Sequence, residues 1–515
     1  MSGPGQGANL IGGAWVPLPG ETLVSHEPAN PGKRVWWGTP EVTHVDRAVK
    51  AARAAQRPWE EWGQGRRARV LKRFAELATS GAGEMATLIS REVGKPMWDA
   101  RAEADLLAAK VQTTLDASDH GPLARVRGFS LPLGPTRQGR CEFRAHGVAA
   151  VIGPFNFPAH LPNGHIIPAL LLGNTVVFKP SDKTPATGDL LARWLHEALH
   201  AESAPPGVLN LVQGGADIAA ALVGHAEIDA VLFTGSWPVG RRIMEANLDR
   251  PGRMLALEMG GNSAAVIMPS ADLPQAVIEC VRASFVTAGQ RCTCTRRIIV
   301  HRDVAARVLP ALREAAAALR VGPPDEEGVF MGPLISESAC EAVLRAQREF
   351  GAMGGTSLVH CERVESAGGG HFLRPGVMQV DRFTPNQEVG AGCDREVFGP
   401  LVRVSVTDSL DDAILQANAS AFGLAAAIFT QDAGEAEAFG ARVRAGCINV
   451  NAGTAGASGK LPFGGLGLSG NHRPAGAFSV DYCAYPVAGI IEQGRGAALS
   501  PGMSFDPAWL DDAPR

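Results

Sequence analysis

Tyrosine is almost absent: 515 residues contain two, Tyr482 and Tyr485, while glycine reaches 61. That bias fits a GC-rich coding background as readily as any function. No uninterrupted apolar stretch reaches the roughly 20 residues that a membrane-spanning helix needs. The opening MSGPGQGANLIGGAW lacks a basic segment followed by an apolar one, so no secretory signal is expected. An excess of positive charge is missing too: 48 Lys and Arg stand against 52 Asp and Glu, a formal charge of −4. Whole-protein attraction to nucleic acid or to an anionic membrane is thereby excluded. The nine cysteines are odd in number and scattered, which excludes a small disulfide scaffold and favours a reducing compartment. Cys292 and Cys294 form a Cys-x-Cys pair with no second pair and no histidine cluster, so no metal site is expected. What remains is a soluble, cytoplasmic chain, 45% hydrophobic, long enough for a large core and roughly three units of about 150 residues.

Apolar residues recur at helical spacing over Val45–Trp62, over Arg66–Glu92 up to Gly94-Lys95-Pro96, and from Met97 to about Ser118. After Gly147 the texture changes. Short Val-rich runs at Val148–Ile152, Thr175–Phe178, Val208–Val212 and Ala230–Phe233 alternate with helical stretches, as in a parallel sheet covered on both faces. Leu255–Met268 leads to a second such series: Ile298–Val300, Leu401–Val406, Ala425–Phe429 and Cys447–Asn451. Two α/β units in tandem are expected. Residues 1–8 and those from Gln493 onward read as loose tails.

Several short segments can carry chemistry. In Phe233-Thr234-Gly235-Ser236-Trp237-Pro238, Gly235 allows close backbone approach to a phosphate and Ser236 can donate to it at a helix start; a plain turn is the alternative. Lys179, Ser181 and Asp182 follow a buried strand, where α/β proteins place ligand contacts, although a solvated loop reads the same. Glu258 is a lone carboxylate in an apolar stretch, before Gly260-Gly261. Burial would raise its pKa toward that of a useful general base, with a structural ion pair as the competitor. Cys292, in Gly289-Gln290-Arg291-Cys292, gains an adjacent cation that would favour thiolate, unless it is an inert buried cysteine. Asn156 offers an amide able to steady an oxyanion. Glu396 adds an acid two residues before Phe398.

Taken in order, the strings PFNFP, FKPSD, FTGS, LEMGG, GQRC, EVFGP and PFGG resemble those of the NAD(P)-dependent aldehyde dehydrogenases, from Asn9 to about Gly489. The resemblance implies Cys292 as nucleophile, Glu258 as general base and Asn156 as the oxyanion amide. It also implies Lys179 at the adenosine ribose, Gly235 and Ser236 at the pyrophosphate, and Glu396 and Phe398 at the nicotinamide riboside. Ser181 and Asp182 join that cofactor set. NAD is the expected cofactor, because Asp182 would repel a 2′-phosphate, though a glutamate is usual there and NADP is not excluded. An aldehyde dehydrogenase-like α/β fold follows: a Rossmann-type NAD(P)-binding domain (9–121 and 146–257), an α/β catalytic domain (258–470) and a small β oligomerisation unit (122–145 and 471–492). A homodimer or homotetramer is implied, with Phe478–Tyr485 pairing across subunits. The retained glutamate favours hydrolysis of a thioester over transfer to coenzyme A.

Within the family, NFPAHLPNGHIIPALLLGNTVVFKPS, SFVTAGQRCTCTRR and PFGGLGLSGNHRP resemble the branch acting on N-succinylglutamate 5-semialdehyde. Such a small-molecule aldehyde carries two carboxylates, which suits arginine's planar fork. Arg291 is the first substrate-binding candidate, opposed by a structural ion pair; Phe157, His165 and Arg473 complete the set. Gly164 replaces a bulky aromatic and Gly467 a lysine of relatives. The loop Asn451–Leu461 departs from that branch, which bears on the substrate but not on the reaction. The rival reading is another acidic semialdehyde, such as glutamate semialdehyde, or a catalytically silent member of the fold.

Overall fold

Two open sheets, each of seven strands, carry the fold in the computed structural model, which describes residues 5–366 and 368–510. In the first, Val148–Ile152 lies between Thr175–Lys179 and Ala230–Thr234, all parallel, with Leu209–Leu211 and Met254–Glu258 outside them. Val148–Ile152, Thr175–Lys179 and Ala230–Thr234 are buried at every position, as their apolar runs require when helices cover both faces. The hairpin Ala8–Ile11 and Ala14–Pro17 closes one edge antiparallel. Residues 5–8 are therefore no loose tail: Gly5–Gln6 pairs with Trp36–Trp37, and Ala8 is buried. The expected tail ends at 1–4 and 511–515 lie outside the described residues.

Helix Thr43–Glu61 buries Val45, Ala48, Val49, Ala52, Ala55 and Trp59, the stripe a 3.6-residue period sets facing the sheet. The block expected over Arg66–Glu92 is instead two helices, Gln64–Ser80 and Ala82–Val93, meeting at Gly81, where Trp194 packs too close for a side chain. Helix Met97–Thr114 differs from these. Its buried face carries Asp99, Glu103 and Lys110 among alanines and leucine.

The second sheet runs Thr356–Val359, Gly376–Gln379, Leu401–Thr407, Thr295–His301, Ser263–Ile267, Ala425–Phe429, Cys447–Val450, parallel except at its first pair. Leu255–Met268 is split between the sheets. Glu258, assigned from the sequence to the second domain, ends a strand of the first sheet, and Met259–Asn262 crosses to the second.

A third sheet of three antiparallel strands joins Phe129–Pro132, Arg137–Ala145 and Ala484–Glu492. The strand expected at Phe478–Tyr485 begins only at Ala484. Ala477–Val480 is a tight 3-10 turn, and nine residues from Ala484 pair with Arg137–Ala145 of the same chain. No helix among the described residues is long and apolar enough to cross a membrane.

Candidate active site

The carboxyl ends of parallel strands leave backbone groups and loops free for ligands. Here neighbouring strand ends deliver Lys179, Thr234 with Gly235 and Ser236, and Glu258, while the loop after Val148–Ile152 delivers Asn156. The Gly235 N–H donates to the Glu258 carbonyl at 2.9 Å, tying two of these ends together.

Cys292 enters from the second sheet's side, on a loop of unusual backbone. Thr287 (φ 56°) and Ala288 (φ 53°) are both left-handed. Conformations of that kind cost roughly 1–3 kcal/mol each in non-glycine residues and persist only where surrounding bonds fix them. The bonds are visible. Gln290 Oε1 accepts from the Ile335 N–H at 3.0 Å, and Asn156 Nδ2 donates to the Gln290 carbonyl at 2.8 Å. The latter places the Asn156 amide beside the residues leading to Cys292 and leaves its second N–H without a partner among the described residues. The thiol itself is not primed by Arg291 as the sequence suggested. Burial, followed by the carboxylates of Glu258 and Glu396, pushes Cys292 up to about 12.

Glu258 is 5% exposed, and its Oε2 has no hydrogen-bond partner among the described residues. Burial holds this carboxyl well above the usual range, offset in part by the Ala475 N–H. Glu396 accepts from the Gly261 N–H at 3.0 Å, and its carboxylate occupies the space that a side chain at Gly260 would fill. The two glycines after Glu258 thus have a steric reason.

Between the two sheets lies a cleft of ≈ 480 Å³ lined by Phe155, Ser181, Asp182, Gln290, Glu396 and Phe398 among others. It joins four of the residues expected at a cofactor. Lys179 borders this region, 5% exposed, with its Nζ donating to the Pro180 carbonyl at 2.7 Å; burial lowers its pKa to about 8 against the opposing charges of Asp182 and Asp217. Gly235 packs against the Phe233 ring so closely that no side chain fits, and Ser236 starts helix Trp237–Glu245 without using its hydroxyl as a cap. A cleft between the sheets, a bare helix start and a buried lysine at a strand end fit a dinucleotide's phosphates and ribose. Phe398 stands edge-on to Phe155, with centroids 5.9 Å apart.

The substrate candidates fare differently. Arg291 is held by Asp99 (Nη2 to Oδ1, 2.7 Å) and by Thr287 (Nε to Oγ1, 2.8 Å), which realises the structural ion pair and leaves Nη1 with no bond among the described residues. Phe157 packs against two cations, with Lys95 Nζ 3.5 Å and Arg291 Cζ 4.9 Å from its ring centre. His165 must be corrected. It is 2% exposed, its Nδ1 bonded to the Tyr482 hydroxyl and its Nε2 to Thr234 Oγ1, and burial lowers its pKa to about 3. A neutral ring with both nitrogens engaged cannot meet a carboxylate. Arg473 is exposed and donates to the neighbouring His472 carbonyl. Beside Gly164 there is open space.

Other residues surround the site without having been singled out. Asp99, Glu103 and Lys95 reach it from the Met97–Thr114 region. Arg296 donates to the carbonyls of Arg291 and Gly399, both at 3.0 Å, binding the Cys292 loop to the segment after Phe398. Thr454, inside the atypical 451–461 loop, donates to the Thr293 carbonyl at 2.6 Å. Carboxylates four apart on the apolar face of a helix were the available signal for Asp99 and Glu103.

Known proteins match this arrangement along almost its whole length. The model of the aldehyde dehydrogenase family matches residues 15–486. The chain is 40% identical over 488 residues to the N-succinylglutamate 5-semialdehyde dehydrogenase of Novosphingobium aromaticivorans, covering 94% of this chain and 99% of that one. It is 42% identical over 487 residues to N-succinylglutamate 5-semialdehyde dehydrogenase 2 of Caulobacter vibrioides, covering 94% and 96%. Among solved structures, the NAD-dependent aldehyde dehydrogenase from Sinorhizobium meliloti superposes with a TM-score of 0.87 at 28% identity, over 95% of each chain. With the fold, the cleft and the order of its motifs in agreement, the chain belongs to the aldehyde dehydrogenase family.

Proposed function

We propose that the chain oxidises N-succinyl-L-glutamate 5-semialdehyde to N-succinyl-L-glutamate with NAD, through a thioester on Cys292. The carrying observation is the buried Glu258 carboxyl, with one oxygen free of partners among the described residues, in a site that also holds Cys292 and the Asn156 amide. Relatives at 40–42% identity bearing that substrate's name support the choice of aldehyde.

The chemistry follows from the residues. The Cys292 thiol releases its proton to solvent water and its sulfur adds to the aldehyde carbon, forming a C–S bond while the C=O π pair moves to oxygen as an oxyanion. The free N–H of Asn156 and the Cys292 backbone N–H stabilise that oxyanion. NAD, when bound, accepts the hydride. Lys179, Ser181, Asp182, Gly235 and Ser236 would hold its adenosine and pyrophosphate end, and Glu396 and Phe398 its other end. Asp182 favours NAD, because a carboxylate beside the ribose repels a 2′-phosphate. After oxidation the acyl group sits on Cys292 as a thioester. Glu258 then takes a proton from the attacking water; burial raises its proton affinity and so strengthens it as a base. Thiol leaves, and the carboxylate product is released.

Glutamate semialdehyde or another acidic aliphatic semialdehyde is the second reading. The Arg291–Asp99 pair favours it, since it occupies the cation first expected to bind the succinyl end. The exposed apolar side chains of the third sheet, Phe129, Leu131 and Ile490, support a homodimer or homotetramer.

NAD reduction at 340 nm tests the proposal, with N-succinylglutamate 5-semialdehyde beside glutamate semialdehyde, succinate semialdehyde and propanal, and Cys292→Ser as blank. A kcat/KM at least ~100-fold above the others is expected for the succinylated aldehyde. Equal or better turnover of another aldehyde would transfer the function to the second reading.

A further inference from the structure

Two carboxylates one turn apart on helix Met97–Thr114 reach the two segments that make the active site. Asp99 is 1% exposed. Its Oδ2 accepts from the Thr287 hydroxyl at 2.6 Å and its Oδ1 from Arg291 Nη2 at 2.7 Å, while Arg291 Nε donates to Thr287 Oγ1 at 2.8 Å. This closed triangle holds the left-handed Thr287 and the residue just before Cys292. Glu103 Oε1 accepts from the N–H groups of Ala159 and His160 at 3.0 and 3.1 Å, and its Oε2 accepts from Lys95 Nζ at 2.7 Å. It thereby fixes the chain three residues beyond Asn156. Positions i and i+4 share one helix face, so a single helical turn spaces the anchor of the Cys292 loop from the anchor of the Asn156 segment.

We infer that Asp99 is a positioning residue for the reaction: acting through Thr287 and Arg291, it holds the Cys292 loop at the Asn156 amide. The inference rests on the reading of Cys292 as nucleophile. Thr287 has a backbone conformation that an L-residue with a branched side chain resists, and among the described residues its hydroxyl bonds to Asp99 and Arg291 alone. With Asp99 neutralised, both ties weaken at once, and the other side-chain bond at Thr287 among the described residues, from Gln290 Nε2 to its carbonyl, is long at 3.3 Å. Arg291 would lose its partner beside Phe157.

The test uses the full chain, with NAD and an aldehyde the parent protein turns over, and adds the rate at which iodoacetamide alkylates Cys292. Asp99→Asn is expected to lower kcat about 10- to 100-fold, the loss that a misplaced reacting group produces. KM for aldehyde and for NAD should stay within about twofold, a signature of lost positioning rather than lost binding. Asp99→Glu should recover part of the loss, and Thr287→Val, which removes no charge, should lose a smaller part. Cys292 alkylation should slow in step with kcat. A kcat within twofold of the parent in both Asp99→Asn and Thr287→Val overturns the inference. So does an unchanged kcat with a tenfold rise in aldehyde KM, which would make the Asp99–Arg291 pair a determinant of binding. Should Asp99→Asn fail to fold, Thr287→Val decides alone. Undiminished turnover in Cys292→Ser would instead defeat the underlying reading of the nucleophile, whatever Asp99 does.

Discussion

The side-chain amide of Asn156 donates to the Gln290 carbonyl oxygen at 2.8 Å, joining the loop after a first-sheet strand to the residues just before Cys292. One N–H of the amide is spent on this bond and the other remains for a developing oxyanion. The contact that joins these two loops therefore also orients the amide proposed to stabilise the transition state.

Asn156→Ala should lower kcat by ~100- to 1000-fold, the cost of losing one oxyanion donor, and slow the first NADH release. Asn156→Asp should be no better, because its carboxylate would face the Gln290 carbonyl and the oxyanion with no proton to offer. Pre-steady-state NADH formation checks both.

Glu258→Gln should leave a rapid burst of NADH and slow steady turnover by ~100-fold or more, because attack on the aldehyde survives while deprotonation of water does not. The same variant has a stability signature. In the parent, Glu258 holds its proton more tightly folded than unfolded. As pH rises from the unfolded carboxyl value of about 4.3, the unfolded chain sheds a proton that the folded chain retains, so stability falls until the folded pKa is passed. Melting temperature followed upward from pH 4 should show a smaller decline in Glu258→Gln. An unaltered decline would remove Glu258 as its source.

His165→Asn should leave the aldehyde KM unchanged and destabilise the fold by about 1–3 kcal/mol, since Tyr482 and Thr234 lose a buried partner. Folded His165 has a pKa of about 3, below its unfolded value, so its stabilisation is complete above the ordinary histidine range and is lost as pH falls toward 3. Denaturant melts between pH 7 and 4 should show a shallower acid loss in the variant.

Gly260→Ala should raise KM for NAD about tenfold with little change in Cys292 alkylation. The new methyl displaces the Glu396 carboxylate from the place it holds beside Gly260 and Gly261, and overpacking of this kind costs about 1–3 kcal/mol. Calorimetric NAD titration reads the effect directly.

Burial on both faces leaves a local trace, which is why Val148–Ile152 and Ala425–Phe429 were legible as strands to the residue. The ordered motifs around Asn156, Glu258, Cys292 and Glu396 were legible as well, because each pairs a reactive side chain with the glycine or proline its backbone needs. Partnership between distant side chains left no such trace. Whether Arg291 faces substrate or Asp99, 192 positions away, depends on how helix Met97–Thr114 docks against the Cys292 loop. Whether His165 is a ligand or a core residue depends on Tyr482, 317 positions on. The charge environment of Cys292 is of the same kind: the adjacent arginine turns to Asp99, while carboxylates from Glu258 and Glu396 converge on the thiol and join burial in raising its pKa. Residue type and periodicity report what a position buries. Only the folded chain decides which groups are buried together, because electrostatic and hydrogen-bond energies depend on distances in space that sequence separation does not encode.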